Sequence, residues 1–175
     1  LAAAGALTFA DGLALVRRAP AAEAGRGCRC LVIGYGNELR GDDALGPVIA
    51  RRLDESRLPG LEVLVCHQLT PELVTELEGR ALVIFVDASA RQEEAPIRLH
   101  EVRPQDGFAL GHHYTPAMLL ALAEALHLKT PPAYLMEVQG YGFEYGADIT
   151  DGARQHIEAA EETLRRFMRE AGCRA

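Results

Sequence analysis

No apolar run in this chain approaches the ~20 residues needed to cross a bilayer, so nothing in it reads as a membrane segment. The 18 Lys and Arg residues form no continuous stripe and are outnumbered by 25 Asp and Glu, for a net charge of −7. That balance speaks against a nucleic-acid or anionic-membrane partner. Cysteine is scarce: Cys28, Cys30, Cys66 and Cys173. Cys28-Arg-Cys30 is too closely spaced for a zinc knuckle, and no second pair answers it. The four therefore read as thiols of a reduced, cytoplasmic protein. Repeats, low-complexity blocks and interior linkers are also missing.

What remains is 175 residues, 49% of them hydrophobic, enough for one compact domain with a real core. Residues 1–27 stand apart. They are rich in Ala, do not begin with Met, and place Arg17 and Arg18 after an apolar segment that contains Asp11. A secretory signal needs its basic residues first. The stretch reads as a poorly ordered extension, or a mis-set start, outside a domain of residues 28–175.

From residue 29 onward, strand and helix signals alternate. Strands are expected over residues 30–34, 61–66, 81–86, 96–102 and 133–139. Residues 81–86 are the most continuous apolar run and the expected central strand. Residues 96–102 alternate apolar and polar, as on an edge strand. Helices are expected over 44–56, 70–79, 114–126 and 151–171, with Thr70 and Thr115 as caps and Pro71 and Pro116 at the first helical positions. The fold class is α/β: a single doubly wound domain, with a mostly parallel five-stranded sheet and helices on both faces.

Functional groups in such sheets gather at the C-terminal ends of the strands. After the first strand comes Leu31-Val-Ile-Gly-Tyr-Gly-Asn-Glu-Leu-Arg-Gly-Asp-Asp43. A dinucleotide fingerprint would need a third glycine at position 39, where Leu39 stands. Asp42 and Asp43 also occupy the place of an anion, so the loop suits a cation or acid–base chemistry. Asp87 ends the central strand, and His112 and His113 precede the third helix. Two carboxylates and an imidazole at one rim could hold a divalent cation of the nickel or zinc kind.

Structural readings compete at each position. Asp42 or Asp43 could cap the first helix or meet its dipole, Asp87 could cap a turn, and one histidine could be merely solvated. His67 could reach the same rim, although a structural role suits it better. Glu144 could shape its Gly-rich loop or face the cleft. Ser89 lacks the Gly-x-Ser-x-Gly setting of a serine hydrolase.

Taken together, these residues resemble the hydrogenase maturation endopeptidases. The match comprises residues 34–46, Val86-Asp87 after a buried strand, His112 seven residues before Leu119-Leu120, and the 140–148 loop with Phe143-Glu144 and Gly146. It covers residues 29–170 or so. The resemblance implies an endopeptidase that trims the C-terminal extension of a nickel–iron hydrogenase large-subunit precursor after nickel insertion. It assigns metal contact, and with it catalysis, to Asp43, Asp87 and His112. The first acid is often Glu in that family, and Asp43 is shorter by one methylene. The implied metal is the precursor's nickel rather than a resident ion, the implied partner is that precursor, and nothing demands more than a monomer. Two other readings are a metal chaperone using the same three ligands and a nucleotide-binding Rossmann-like module, which only Gly34-x-Gly36 supports.

Overall fold

Every residue from 82 to 86 is buried, as a strand covered on both faces requires. The computed structural model describes residues 7–8, 14–15, 30–92, 94–105 and 114–173. Its strands are β1 (Leu7–Thr8), β2 (Ala14–Leu15), β3 (Cys30–Tyr35), β4 (Leu61–Cys66), β5 (Leu82–Ser89), β6 (Ile97–Val102) and β7 (Ala133–Gln139). They form one sheet in the order β1-β2-β6-β7-β5-β3-β4. β4, β3, β5 and β7 run parallel, and β6 lies antiparallel to β7. The five expected strands are all present, with β5 at their centre. β6, expected at an edge, is the outer strand of those five, and β2 pairs along it. The rest of the proposed extension over 1–27 lies outside the described residues.

The helices are α1 (Leu45–Glu55), α2 (Val74–Leu77), α3 (Pro116–Ala125) and α4 (Asp151–Glu170). Side chains alternate across a strand, so each strand feeds two cores. Val32, Ile84, Val86 and Met136 pack with Leu45 and Ile49 of α1 and Leu164 and Phe167 of α4. Leu31, Ile33, Val83 and Phe85 pack on the opposite face with Val74 and Leu77 of α2 and Leu119 and Leu120 of α3. Helices thus cover both faces. None of the described helices is long and apolar enough to cross a membrane.

Capping follows the sequence at two helices. Thr115 accepts a hydrogen bond from the Met118 N–H at 3.2 Å, and Thr150 does the same for Ala153 at 3.2 Å. Thr70 makes no such bond; Pro71–Leu73 is a 3-10 turn that becomes helical only at Val74. The Glu72 carboxyl is held below its ordinary value by its own backbone N–H first and by the Thr70 side chain second.

The reading of all four cysteines as reduced thiols needs correction. Cys30, which opens β3, and Cys173, just past α4, form a disulfide with a Cα–Cα separation of 6.5 Å. The pair is 143 residues apart in sequence and meets only because α4 packs back over the sheet. Short Cys spacings carry no trace of such a pairing.

Candidate functional site

The loop after β3 is set by close backbone approach. Gly34 and Gly46 face each other where α1 crosses the sheet, and a Cβ at Gly34 would meet the Gly46 carbonyl oxygen and the Ala50 side chain. Gly36 has φ +146 and lies against the Asp43 backbone, a conformation and an approach that suit only glycine. These contacts turn the chain back into a 3-10 turn, Gly41–Ala44, ahead of α1. That turn packs against β5 and brings Asp43 near Asp87.

Asp42 and Asp43 point to different work. Asp42 is fully buried. Its carboxylate accepts hydrogen bonds from the N–H groups of Tyr141 (2.6 Å), Gly142 (3.0 Å) and Thr150 (2.7 Å), and from the Thr150 hydroxyl (2.8 Å). Burial pushes its proton affinity up, but these donors outweigh burial and hold it below the usual carboxylate range. Asp42 therefore does not cap α1. It fastens the first loop to the loop after β7. Asp43 remains partly exposed, and its carboxylate accepts the Asn37 N–H at 2.7 Å. That bond fixes a carboxylate over the turn where a phosphate would have to sit, against the nucleotide-binding reading.

Asp87 emerges from β5 on the face covered by α2 and α3. It is half-buried, and its Oδ1 accepts the Ala88 N–H at 2.9 Å. Burial drives its pKa up to about 7; hydrogen bonds from Tyr35 and Ala88 oppose the rise, and the charges of Asp43 and Glu137 add to it. Glu137 of β7 is the register partner of Asp87, and Arg98 of β6 is the register partner of Glu137. The Arg98 guanidinium meets the Glu137 carboxylate at 2.6 Å. Two carboxylates, Asp43 and Asp87, thus share one rim, and the charge of Asp43 adds to the raised proton affinity of Asp87. A divalent cation relieves such crowding, and oxygen donors suit nickel as one part of a mixed N/O set. Among the described residues no group of three His, Cys, Asp or Glu side chains could hold a metal by itself.

Comparison of the sequence with family models and with curated proteins gives no match. Solved structures do match. The hydrogenase maturating endopeptidase HybD of E. coli is 24% identical over 82% of this chain and 94% of its own, with a TM-score of 0.68. The [NiFe] hydrogenase maturation protease HycI of Thermococcus kodakarensis is 23% identical over 82% and 94%, with a TM-score of 0.64. An endopeptidase from Escherichia coli is 26% identical over the same shares, 82% and 94%, at 0.64. The chain has the hydrogenase maturation endopeptidase fold. The resemblance read from residues 34–46 therefore holds at the level of the fold.

Within that fold, Asp43 lies close enough to Asp87 for its charge to raise the Asp87 carboxyl's proton affinity. His112 and His113 lie outside the described residues, which resume at Tyr114 just ahead of α3. His67 is exposed, one residue past β4, the outer strand on the far side of β3 from Asp87. Glu144 is exposed in the loop after β7, where its carbonyl accepts the Ala147 N–H at 3.3 Å. The Ser89 hydroxyl accepts the Arg91 N–H at 3.3 Å and shapes the exit from β5. Sequence reasoning missed Tyr35 and Glu137. Both fall on the α2/α3 face at the strand ends, but their adjacency to Asp87 depends on the strand order. The available signal was a tyrosine and a glutamate breaking otherwise apolar runs.

Proposed function

We propose that this chain is an endopeptidase that removes the C-terminal extension of a nickel–iron hydrogenase large-subunit precursor once nickel is in place. The observation that carries the proposal is the Asp43–Asp87 pair at the strand-end rim of a hydrogenase maturation endopeptidase fold. Asp43, Asp87 and His112 grip the precursor's nickel, so the metal acts as a substrate handle and cleavage waits for its insertion. Gripping there places the scissile peptide beside the carboxylates, and positioning of this kind is a large part of a catalytic rate. Peptide hydrolysis then uses a water activated on the metal or by a carboxylate base. The raised proton affinity of Asp87 suits the second role near neutral pH. The protein works as a cytoplasmic monomer.

The test is to incubate the protein with nickel-loaded and nickel-free precursor and weigh the products by mass spectrometry. Loss of a C-terminal peptide from the loaded form alone is expected. Binding to the loaded form without cleavage would replace the protease reading with that of a metal chaperone. Equal cleavage of both forms would remove the metal gate.

A further inference from the structure

We infer that Leu39, Tyr141 and Tyr145 form a docking surface for the folded body of the precursor protein, and that it meets an apolar strip flanked by basic side chains beside the cleavage site. This rests on the endopeptidase reading proposed above and adds to it a contact made away from the metal.

Four large apolar side chains are left exposed among the described residues, and three of them stand on two loops. Leu39, 58% exposed, is in the loop after β3; Tyr141, 48% exposed, and Tyr145, 77% exposed, are in the loop after β7. Single exposed apolar residues are ordinary, but their gathering on one surface marks an interaction site. Exposed tyrosines are also a common currency of protein interfaces.

The two loops are one unit. The Gly146 N–H donates to the Leu39 carbonyl at 2.7 Å, which sets Tyr145 beside Leu39. The Asp42 N–H donates to the Gly142 carbonyl at 2.8 Å, the Gly41 N–H to the Ala147 carbonyl at 3.2 Å, and the Arg40 Nε to the Phe143 carbonyl at 3.2 Å. Gly41 has φ +53, and a Cβ there would run into the Gly142 carbonyl oxygen, so the approach needs a glycine. The buried Asp42 carboxylate fastens the same two loops from beneath. A surface held this firmly loses little freedom when a partner covers it.

Position and charge select the occupant. Leu39 is four residues ahead of Asp43 in the same loop, so the apolar surface continues into the candidate site. A protein whose chain is cut at Asp43 and Asp87 must lie beside it. Glu38 on this loop is paired with Arg51 at 2.6 Å. Against Arg40 stand Asp43, Glu144 and Asp148, which have no ion-pair partner among the described residues. The rim is therefore acidic and complements a basic partner. A second copy of this chain docked face to face would set acid against acid.

The experiment measures binding of nickel-free precursor to the full chain, because that form reports docking without the metal and is not expected to be cut. Mass spectrometry of loaded precursor follows processing in parallel. Leu39→Ser combined with Tyr145→Ser should weaken binding about 10–100-fold with the circular dichroism spectrum unchanged. Leu126→Ser, at an exposed apolar residue just past α3, should change it by less than about 3-fold. Glu144→Lys combined with Asp148→Lys should weaken binding most at low salt. Wild-type binding by the Leu39/Tyr145 variant would overturn the docking surface while processing by the wild type still stands. So would a wild-type chain that trims loaded precursor without holding the nickel-free form, or a wild-type dimer in sedimentation that this variant splits. A wild-type chain that neither binds nor trims precursor would overturn the endopeptidase reading, and the docking surface with it.

Discussion

The carboxylate of Asp42 and the hydroxyl of Thr150 meet at 2.8 Å across 108 residues of chain. Thr150 in turn caps α4 through its bond to Ala153, so one buried carboxylate links the loop after β3, the loop after β7 and the start of the last helix.

Asp42→Ala should therefore destabilise the protein well beyond a surface change, by about 2–4 kcal/mol, because it strands buried N–H donors. The pH dependence has a definite sign. The native carboxyl titrates below its ordinary value of 3.8, so its stabilisation is present above about pH 4 and is lost as pH falls through the lowered native value. Urea midpoints at pH 6 and pH 3 should drop more in wild type than in Asp42→Asn. Equal drops would show that this carboxylate does not govern the acid transition.

Asp87 has the opposite sign. Its native pKa of about 7 lies above the ordinary 3.8, so its contribution is complete below about pH 4 and is lost as pH rises to 7. Asp87→Asn should melt higher than wild type at pH 8, by roughly 1–3 kcal/mol, yet fail to process precursor. Asp43→Asn should also abolish processing and leave the fold intact. Thermal melts at pH 5 and pH 8 check the first claim, and precursor mass spectrometry the second. A variant at either position that trims precursor at the normal rate would sink the site assignment.

His112 and His113 can be separated only by substitution. The spacing to the following helix favours His112, so His112→Ala should slow processing about 100-fold, while His113→Ala should change it by less than about 5-fold. Single-turnover rates on loaded precursor decide it. Equal or reversed effects would move the ligand to His113.

The sheet was legible in the sequence because burial on two faces writes continuous apolar runs, and residue 82 onward is the plainest of them. The loop of residues 34–46 was legible because glycine spacing and paired acids are local. What stayed hidden depends on distance along the chain. Nothing near Asp42 reveals that its donors are Tyr141, Gly142 and Thr150, and nothing near Tyr35 reveals that β5 is the neighbour of β3. The Cys30–Cys173 pairing is hidden for the same reason. Thr70 misled in the other direction: its local pattern is that of a cap, but its side chain accepts no cap hydrogen bond and the turn stays 3-10.

Gly46, the second residue of α1, sets how closely the first loop approaches the end of β5. A Cβ there would meet the carbonyl oxygens of Val86 and Tyr35, the residues that lead into Asp87 and the glycine turn. Backbone atoms cannot rotate away as a side chain can, so α1 would have to withdraw and carry Asp43 from Asp87. Gly46→Ala should cost about 1–3 kcal/mol in overpacking and depress processing more than stability alone explains. Gly79→Ala is the control. Gly79 has φ +72 and nothing within 4 Å of its added Cβ, so it should lose about 1–2 kcal/mol from backbone strain and still process normally. Denaturation curves and processing rates on both variants make the comparison. Normal processing by Gly46→Ala would show that the approach of α1 does not set the distance between the two carboxylates.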